Sequence, residues 1–349
     1  LEFDHYVDGQ TCFGLDKLVL NNNYADATNM KEALCYDMFQ FLGADASLYN
    51  YAEISVNGEY RGVYLALEAV EDSFLLRNYG TEKGALYKPE GMEMGGDKQD
   101  GNKPGGGGRP SGEIPGKNDR ADFGGMGSFS KSSGGADLNY TDDDLDSYST
   151  IWDGEVTDTK KADHKRVVKA LKNISEGTDL ETYMDIDNLL KYMAVHVFSV
   201  NMDSLSGNMA HNYYLYESNG QLNLIPWDYN LAFGGMGANG GMGANGGMGG
   251  GSSDSATAVV NSAIDNAFSG TEFFDTLMEN ETYREQYYAY LNQLVEEYVY
   301  GDGFETFYNR TRNLIDTLVE TDPTAFYTYE EYQTAADTLY QIVKLRAQS

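Results

Sequence analysis

Cysteine, histidine and basic residues are scarce in this chain of 349 residues. It contains 2 Cys, 4 His and 24 Lys+Arg against 55 Asp+Glu, which gives a formal net charge of −31. Two cysteines exclude a disulfide scaffold, and the lack of a Cys/His cluster argues against a zinc site. The acidic balance argues against nucleic acid and anionic lipid as partners. Because no run of about 18 apolar residues occurs, we also expect no membrane span.

The cysteines and the chain ends give little further information. Cys12 and Cys35 can form one disulfide or remain two thiols, and the second alternative is the more usual because free Cys is commonly buried. The chain opens with Leu1 instead of Met and ends at Ser349 inside a helical pattern. We therefore expect an N-terminally truncated fragment in which no signal sequence is present.

Glycine is abundant in only two stretches of the sequence. Of its 40 Gly, 15 fall in residues 91–140 and 11 in residues 234–251, where the hexad GGMGAN recurs. Such segments bury too little apolar surface to offset the entropy of ordering them. We therefore expect residues 91–138 to be a disordered insert and the Gly/Met-rich repeat at 234–251 to be a flexible expansion.

Residues 1–90 show strand and helix patterns. An apolar strand is predicted around Leu18–Leu20, and a helix is predicted from an N-cap at Thr28 to a stop at Gly43. Asn57-Gly58 separates two apolar-rich runs and predicts a β-hairpin, because both central residues of a type I′ turn need φ > 0.

Residues 139–349 are predicted to be mainly helical around one further hairpin. A helix beginning at Asp185 carries one apolar stripe, typical of a buried helix, and runs into the loop that holds Asp203. Two strands joined at Asn219-Gly220 follow, and Asp228 comes directly after the second strand. The remainder, from about Ser255, has helical periodicity. The whole pattern predicts an α+β fold.

Two aspartates lie in an order that suits phosphoryl transfer. That reaction needs an acid to orient the acceptor hydroxyl and oxygen ligands to hold Mg²⁺ on the nucleotide phosphates. Asp203 follows a buried helix, Asn208 lies five residues later, and Asp228 follows a hairpin. Two other interpretations stay open: each aspartate caps a strand or helix, or the two form the carboxylate pair of a glycosidase, for which no sugar-binding pattern is evident.

Several motifs together resemble the CotH (spore coat protein H) kinase family. In the C-terminal part they are Asn201-Met202-Asp203-Ser204, His211-Asn212-Tyr213-Tyr214 and Pro226-Trp227-Asp228-Tyr229-Asn230. In the N-terminal part they are Leu18-Val19-Leu20-Asn21-Asn22 with Asp26, the helix from Met30, the segment Asn57–Tyr64, Glu68 and Leu86-Tyr87-Lys88. The resemblance covers nearly all of the chain outside the two Gly-rich stretches.

The resemblance implies an atypical protein kinase with a reduced, two-lobed kinase-like fold. Residues 1–90 would form a small sheet-bearing N-lobe that lacks upstream strands, and residues 139–349 a mainly helical C-lobe with the catalytic loop. The implied cofactors are ATP and Mg²⁺. The implied partner is a protein substrate with Ser/Thr acceptors, and the implied location is extracytoplasmic, as in a spore coat, on a cell surface or in a secreted protein.

The resemblance also implies roles for individual residues. Asp203 and Asp228 would be catalytic, with Asp228 also binding metal, and Asn212 is favoured over Asn208 as the second metal ligand. His211 is expected to be a packed or hydrogen-bonded neighbour. The implied cofactor-binding residues are Glu32, as the helix acid, Glu68, near the adenine, and Lys88, which competes with Lys17 for the phosphates.

A catalytically inactive kinase-like surface or coat protein is the alternative. The family has a lysine-bearing motif upstream of the position of Leu1, which this sequence lacks, so the activity of the fragment stays open. Two carboxylates that converge on one point without a cation would repel each other at a cost in free energy. Retention of Asp203, Asn212 and Asp228 together therefore favours the enzyme.

Overall fold

A computed structural model describes residues 1–90, 134–207, 210–235, 253–265 and 271–349, with no side-chain detail at 253–255. The described residues form a mixture of helices and two small sheets, which confirms the predicted α+β class.

The elements alternate along the chain. The strands are β1 (Leu18–Asn21), β2 (Tyr49–Val56), β3 (Glu59–Glu68), β4 (Ala85–Tyr87), β5 (Tyr213–Ser218) and β6 (Gln221–Pro226). The helices are α1 (Lys31–Leu42), α2 (Asp72–Tyr79), α3 (Ser149–Asp153), α4 (Lys161–Ser175), α5 (Leu180–Tyr183), α6 (Ile186–Ser199), α7 (Ser253–Val260), α8 (Glu272–Glu279), α9 (Glu281–Gln293), α10 (Gly303–Thr321) and α11 (Tyr329–Gln348). A 3₁₀ turn (Leu145–Tyr148) precedes α3, and a π-helical segment (Leu294–Val299) continues α9.

The first sheet has the strand order β1-β3-β2, with antiparallel pairing throughout. The predicted hairpin is confirmed: β2 and β3 are joined at Asn57-Gly58, whose φ angles are 54° and 81°. Both values lie in the left-handed region that this turn requires.

The second sheet has the order β4-β5-β6 and is also antiparallel. Its hairpin turns at Asn219-Gly220, with φ angles of 55° and 91°. Strand β4 lies within residues 1–90, yet it pairs with β5, so this sheet spans the predicted boundary between the two lobes. The division into lobes at residue 90 stays a prediction.

Helix α6 lies at the centre of the core. Its apolar side chains are almost all buried, and it packs against α1, α9 and β6. One contiguous group of buried apolar residues extends from Met30 in the N-terminal part to Val343 in α11. Helices predicted over 180–200 and 272–345 are present as α5–α6 and α8–α11.

The C-terminal end of the predicted insert 91–138 is packed. Ala136 and Leu138 are buried, and the Tyr213 hydroxyl donates a hydrogen bond to the Ala136 carbonyl oxygen at 2.5 Å. The expectation of disorder is therefore wrong for residues 134–138, because they contribute apolar surface to the core. Residues 91–133, and residues 236–251 of the Gly/Met-rich repeat, lie outside the described part of the chain.

Both cysteines are free thiols, so the disulfide alternative is wrong. Cys35 is buried in α1, and burial raises the pKa of its thiol far above the ordinary value. In the part of the chain that the structure describes, no helix is both long and apolar enough to cross a membrane.

The start of α1 differs from the sequence-based expectation. Thr28 is not its N-cap: the helix begins at Lys31, and the buried Asp26 carboxylate accepts the backbone N–H groups of Met30 (3.0 Å) and Lys31 (2.9 Å). Asp26 also accepts the Thr28 N–H (2.9 Å) and hydroxyl (2.7 Å). One acidic side chain therefore organises the loop and satisfies the first free amides of the helix.

Asp26→Ala should destabilise the protein by about 2–3 kcal/mol, because it removes a cap and leaves buried donors unsatisfied. The matched control is Asp302→Ala, since Asp302 occupies the N-cap position of α10 without a side-chain capping bond. Denaturant unfolding of both variants and the parent measures the difference. Equal stability of the two variants would contradict the role given to Asp26.

Candidate functional site

The loop after α6 is placed by a tight backbone reversal. Val200 ends the helix with φ = 50°, a left-handed conformation that is unusual for a β-branched residue. The Phe233 N–H donates to the Ser199 carbonyl at 2.7 Å and holds the helix end against the segment that follows β6. Asp203 lies three residues beyond Val200, and its N–H donates to the side-chain oxygen of buried Asn201 at 3.3 Å.

Two side chains from the start of β5 hold the Asp203 carboxylate. His211 Nε2 lies 2.5 Å from Asp203 Oδ1. Asn212 Nδ2 donates to Asp203 Oδ2 at 3.1 Å and to the Asp203 carbonyl oxygen at 2.9 Å. Asp203 is 6% exposed and His211 is 5% exposed. His211 is thus the hydrogen-bonded neighbour that the sequence predicted.

Asp228 follows β6 with φ = 51°, again in the left-handed region. Its Oδ1 atom is enclosed and has no hydrogen-bond partner among the described residues. Burial raises the pKa of the Asp228 carboxyl to about 6, and the negative charge of Asp203 contributes to the same shift. Asp203 is therefore close enough to Asp228 to raise the pKa of its carboxyl, and Asp228 presents an unpaired oxygen.

A third acid, Glu32, comes from α1 and is also buried. It accepts a hydrogen bond from Asn21 Nδ2 at 2.6 Å and one from the Tyr229 backbone N–H. Burial raises the pKa of Glu32 to about 8, with a further contribution from Asp228. Glu32, which was predicted to pair with a phosphate lysine, thus lies near Asp228, the candidate metal ligand. The side-chain partner of Glu32 is Asn21.

Lys88 brings positive charge to this group of acids. Its Nζ lies 5.9 Å from the ring centres of both Tyr214 and Trp227 and 2.9 Å from Glu90. Its charge lowers the pKa of Asp228, which opposes the effect of burial. Lys88 follows β4 directly, so the second sheet supplies both the lysine and the aromatic rings beside it.

Among the described residues, no contact links the other predicted residues to the group of Asp203, Asp228, Glu32 and Lys88. Glu68 is buried and ion-paired with Arg77 at 2.5 Å, and it also accepts the Leu48 N–H at 3.1 Å, which gives no support to a role at the adenine. Lys17 is paired with Glu71 at 2.7 Å. Asn208 lies outside the described residues, so its role as a metal ligand stays a prediction.

Sequence reasoning missed two contributors to the site. Asn21 lies in the Leu18–Asn22 motif but was given no role at the site, yet it is the side-chain donor to Glu32. The Tyr36 hydroxyl, on α1, is buried without a hydrogen-bond partner among the described residues; burial raises its pKa well above the ordinary value, and Glu32 and Asp228 add to the shift. No local pattern gives either residue this role, because both act across elements that are distant in sequence.

The donor set fits Mg²⁺. Asp203, Asp228 and Glu32 carry carboxylate oxygens, and Asp228 Oδ1 has no hydrogen-bond partner among the described residues. No group of three or more His, Cys, Asp or Glu side chains has metal-ligating geometry in the described ranges. A Mg²⁺ ion here would therefore take one or two of these carboxylates and complete its shell with phosphate oxygens and water, as is usual for Mg²⁺ in proteins.

Comparison with known proteins gives two matches. A family model described as CotH kinase protein matches residues 1–349. The inner spore coat protein H of Bacillus subtilis (strain 168) is 25% identical over 237 residues, which is 66% of this chain and 53% of that protein. The chain thus spans about half the length of this curated relative.

Glu32→Gln should change how stability depends on pH. A carboxyl with a pKa of about 8 in the folded state and an ordinary value of 4.5 binds its proton more tightly when folded. The contribution of Glu32 to the free energy of unfolding is therefore fully present below about pH 4.5 and is lost as the pH rises toward 8. The variant lacks this loss, so the two unfolding free energies should diverge by a few kcal/mol by pH 9, at about 1.4 kcal/mol per pKa unit.

The measurement is denaturant unfolding at pH 5 and pH 9 in EDTA. Glu330→Gln, at an exposed position in the first turn of α11, is the matched control and should follow the parent at both pH values. A constant difference between Glu32→Gln and the parent across this range would show that Glu32 does not titrate as stated.

Proposed function

The chain belongs to the CotH kinase protein family, and from this premise we propose that it is a Mg-ATP-dependent atypical protein kinase. It transfers the γ-phosphate of ATP to Ser or Thr residues of a protein acceptor. The proposal includes a kinase-like arrangement in which the elements of residues 1–90 and those of residues 139–349 lie on either side of the nucleotide.

One observation carries the proposal: Asp203, Asp228, Glu32 and Lys88 converge although they come from four separate segments. The electrostatic effects of Asp203 and Lys88 on Asp228, and of Asp228 on Glu32, connect all four side chains. Like charges brought together in a buried place are costly unless a cation neutralises them. A metal-nucleotide site gives this arrangement a physical reason.

Each residue has a defined task in the proposed reaction. Asp228, with its unpaired oxygen, would hold Mg²⁺, and the cation would lower the raised pKa of Glu32, so that the Glu32 carboxylate would add negative charge beside it. When bound, Mg²⁺ neutralises charge on the nucleotide phosphates. The positively charged ammonium group of Lys88 contacts the negatively charged phosphates. Tyr214 and Trp227 restrict where this ammonium group can lie. Asp203 accepts a hydrogen bond from the acceptor hydroxyl and orients its oxygen toward the phosphorus.

The proposed acceptor and location are based on the matched protein from Bacillus subtilis. Since the Bacillus subtilis match is an inner spore coat protein, we extend the proposal to an extracytoplasmic setting with coat-type or secreted proteins as acceptors. The net charge of −31 is consistent with a surface exposed to such proteins and does not favour nucleic acid.

Asp228→Asn should reduce phosphate transfer to background and abolish Mg²⁺-dependent nucleotide binding, because the cation loses an anionic ligand. Asp203→Asn should keep nucleotide binding and slow transfer by about 10²–10⁴-fold, the range for loss of one positioned acid–base group. The measurements are transfer of labelled γ-phosphate to a Ser-containing protein and nucleotide titration with and without Mg²⁺.

Asp302→Asn, at the start of α10, is the control and should match the parent in both assays. Parent-like transfer by both active-site variants would overturn the kinase assignment. Nucleotide binding without any transfer by the parent would favour the inactive binding module instead.

Lys88→Met should raise the KM for ATP by about 10–100-fold, because a hydrogen bond to a charged group contributes about 1.5–3 kcal/mol. Lys17→Met is the matched control, since the structure pairs Lys17 with Glu71 at 2.7 Å. It should leave the KM for ATP near the parent value. The opposite ranking of the two variants in steady-state kinetics would assign the phosphate contact to Lys17.

A further inference from the structure

Both oxygens of the Asp203 carboxylate are held by neighbouring side chains. His211 lies on Oδ1 at 2.5 Å, and Asn212 lies on Oδ2 at 3.1 Å. Asn212 also donates to the Asp203 carbonyl at 2.9 Å, so it braces the backbone of the loop as well as the side chain. The carboxylate is thereby fixed in two directions.

The direction of the His211 hydrogen bond follows from chemistry. Toward an ionised carboxylate, which offers only acceptors, the ring Nε2 acts as the donor. Hydrogen bonds to charged groups are stronger than neutral ones, and Nε2 lies within hydrogen-bonding distance of Asp203 Oδ1, at 2.5 Å. With 5% exposure, His211 has little water to compete for the same bond.

The backbone around His211 is strained, and the element that follows it is rigid. Ala210 and Asn212, on either side of His211, have φ angles of 48° and 57°. Left-handed backbone at non-Gly residues costs free energy and persists where the surrounding structure demands it. Residue 213 then enters β5, the central strand of its sheet, which is paired on both edges. The histidine is therefore presented from a fixed support.

We propose that His211 is the positioning residue of the reaction: by donating to Oδ1 it fixes the rotation of the Asp203 carboxylate, so that Oδ2, which has a second lone pair beside its bond from Asn212, is the oxygen that meets the acceptor hydroxyl. This inference rests on the proposed kinase function. His211 itself touches neither the nucleotide nor the acceptor. Its effect is on kcat, since misplacement of a reacting group by about 1 Å can slow a reaction as much as 10²-fold.

A merely structural role for His211 would give a different result. Loss of a packed, hydrogen-bonded side chain would lower stability and reduce the amount of folded protein, without a selective change in kcat. A positioning role predicts a lower kcat with unchanged nucleotide affinity. It also predicts rescue by a side chain that restores a donor at the same place.

The experiment compares His211→Leu, His211→Gln and the parent in γ-phosphate transfer and Mg-nucleotide titration. His211→Leu should lower kcat about 10-fold or more while the KM for ATP and the nucleotide Kd stay within about twofold of the parent. Glutamine places its amide nitrogen near the position of Nε2, so His211→Gln should recover most of kcat. His5→Leu removes another histidine–carboxylate pair, at Glu2 (3.2 Å), and should match the parent.

A double-mutant cycle tests whether His211 acts through Asp203. The variant Asp203→Asn/His211→Leu should be no slower than Asp203→Asn alone, since the group to be positioned is already gone. If His211→Leu does not fold, His211→Gln and His211→Asn replace it, and the glutamine variant should be the faster because asparagine is too short to reach Oδ1.

The outcomes separate this inference from the kinase assignment. A parent that transfers phosphate, with His211→Leu at parental kcat or His211→Gln no faster than His211→Leu, would overturn the positioning role alone. Multiplicative losses in the double variant would do the same. A parent that binds Mg-nucleotide and transfers no phosphate would overturn both proposals.

Discussion

The packing of α6 against α1 and β6 is the constraint on which the site depends. Because α6 is enclosed on nearly all sides, its C-terminal end can be in only one place, and the left-handed Val200 turns the chain directly into the loop of Asp203. The same contact brings Glu32 on α1 toward Asp228 at the end of β6. Apolar packing, which has no chemical specificity, thus places three carboxylates close to one another.

Burial then determines the chemistry of those carboxylates. Removing Glu32 and Asp228 from water disfavours their charged forms and raises the pKa values to about 8 and about 6, respectively. Asp203, in contrast, has a neighbouring side chain on each oxygen, His211 on Oδ1 and Asn212 on Oδ2. One of the three acids is therefore held in place by its neighbours, while Asp228 keeps an oxygen without a partner among the described residues.

Local patterns were sufficient for much of the fold. The Asn57-Gly58 hairpin and the apolar stripe of α6 depend on neighbouring residues, and both were predicted correctly. The start of α1 was not, because Thr28 and Asp26 are both good capping residues. The choice between them depends on the loop path, which includes a left-handed Asn29 (φ = 53°). The Tyr51 hydroxyl of β2 donates to the Asn29 carbonyl at 2.6 Å, so a contact between segments distant in sequence fixes a loop path that the local rule leaves open.

At the site, too, the order of residues along the chain was informative, while their hydrogen-bond and ion-pair partners were not evident from the sequence. The sequence order of Asp203 and Asp228 indicated their importance, but the partner of each charge could not be predicted. Glu68 is neutralised by Arg77, and Asn21 is a donor to Glu32. These pairs are formed between elements whose packing has no signature at either residue. In a chain with this excess of acidic residues, the partner of each charged side chain can therefore be assigned only from the three-dimensional structure.

The balance of charge at the site has a consequence for how ligands bind under the proposed function. Asp203, Asp228 and Glu32 lie near Lys88, which is itself paired with Glu90. A polyphosphate alone would meet net repulsion there, while Mg²⁺ alone would find two or three carboxylates but few other ligands. Each ligand supplies what the other lacks, because phosphate oxygens complete the coordination of the metal and the metal neutralises the acids. Under the proposed function, the site would therefore favour the metal–nucleotide complex over either component by itself.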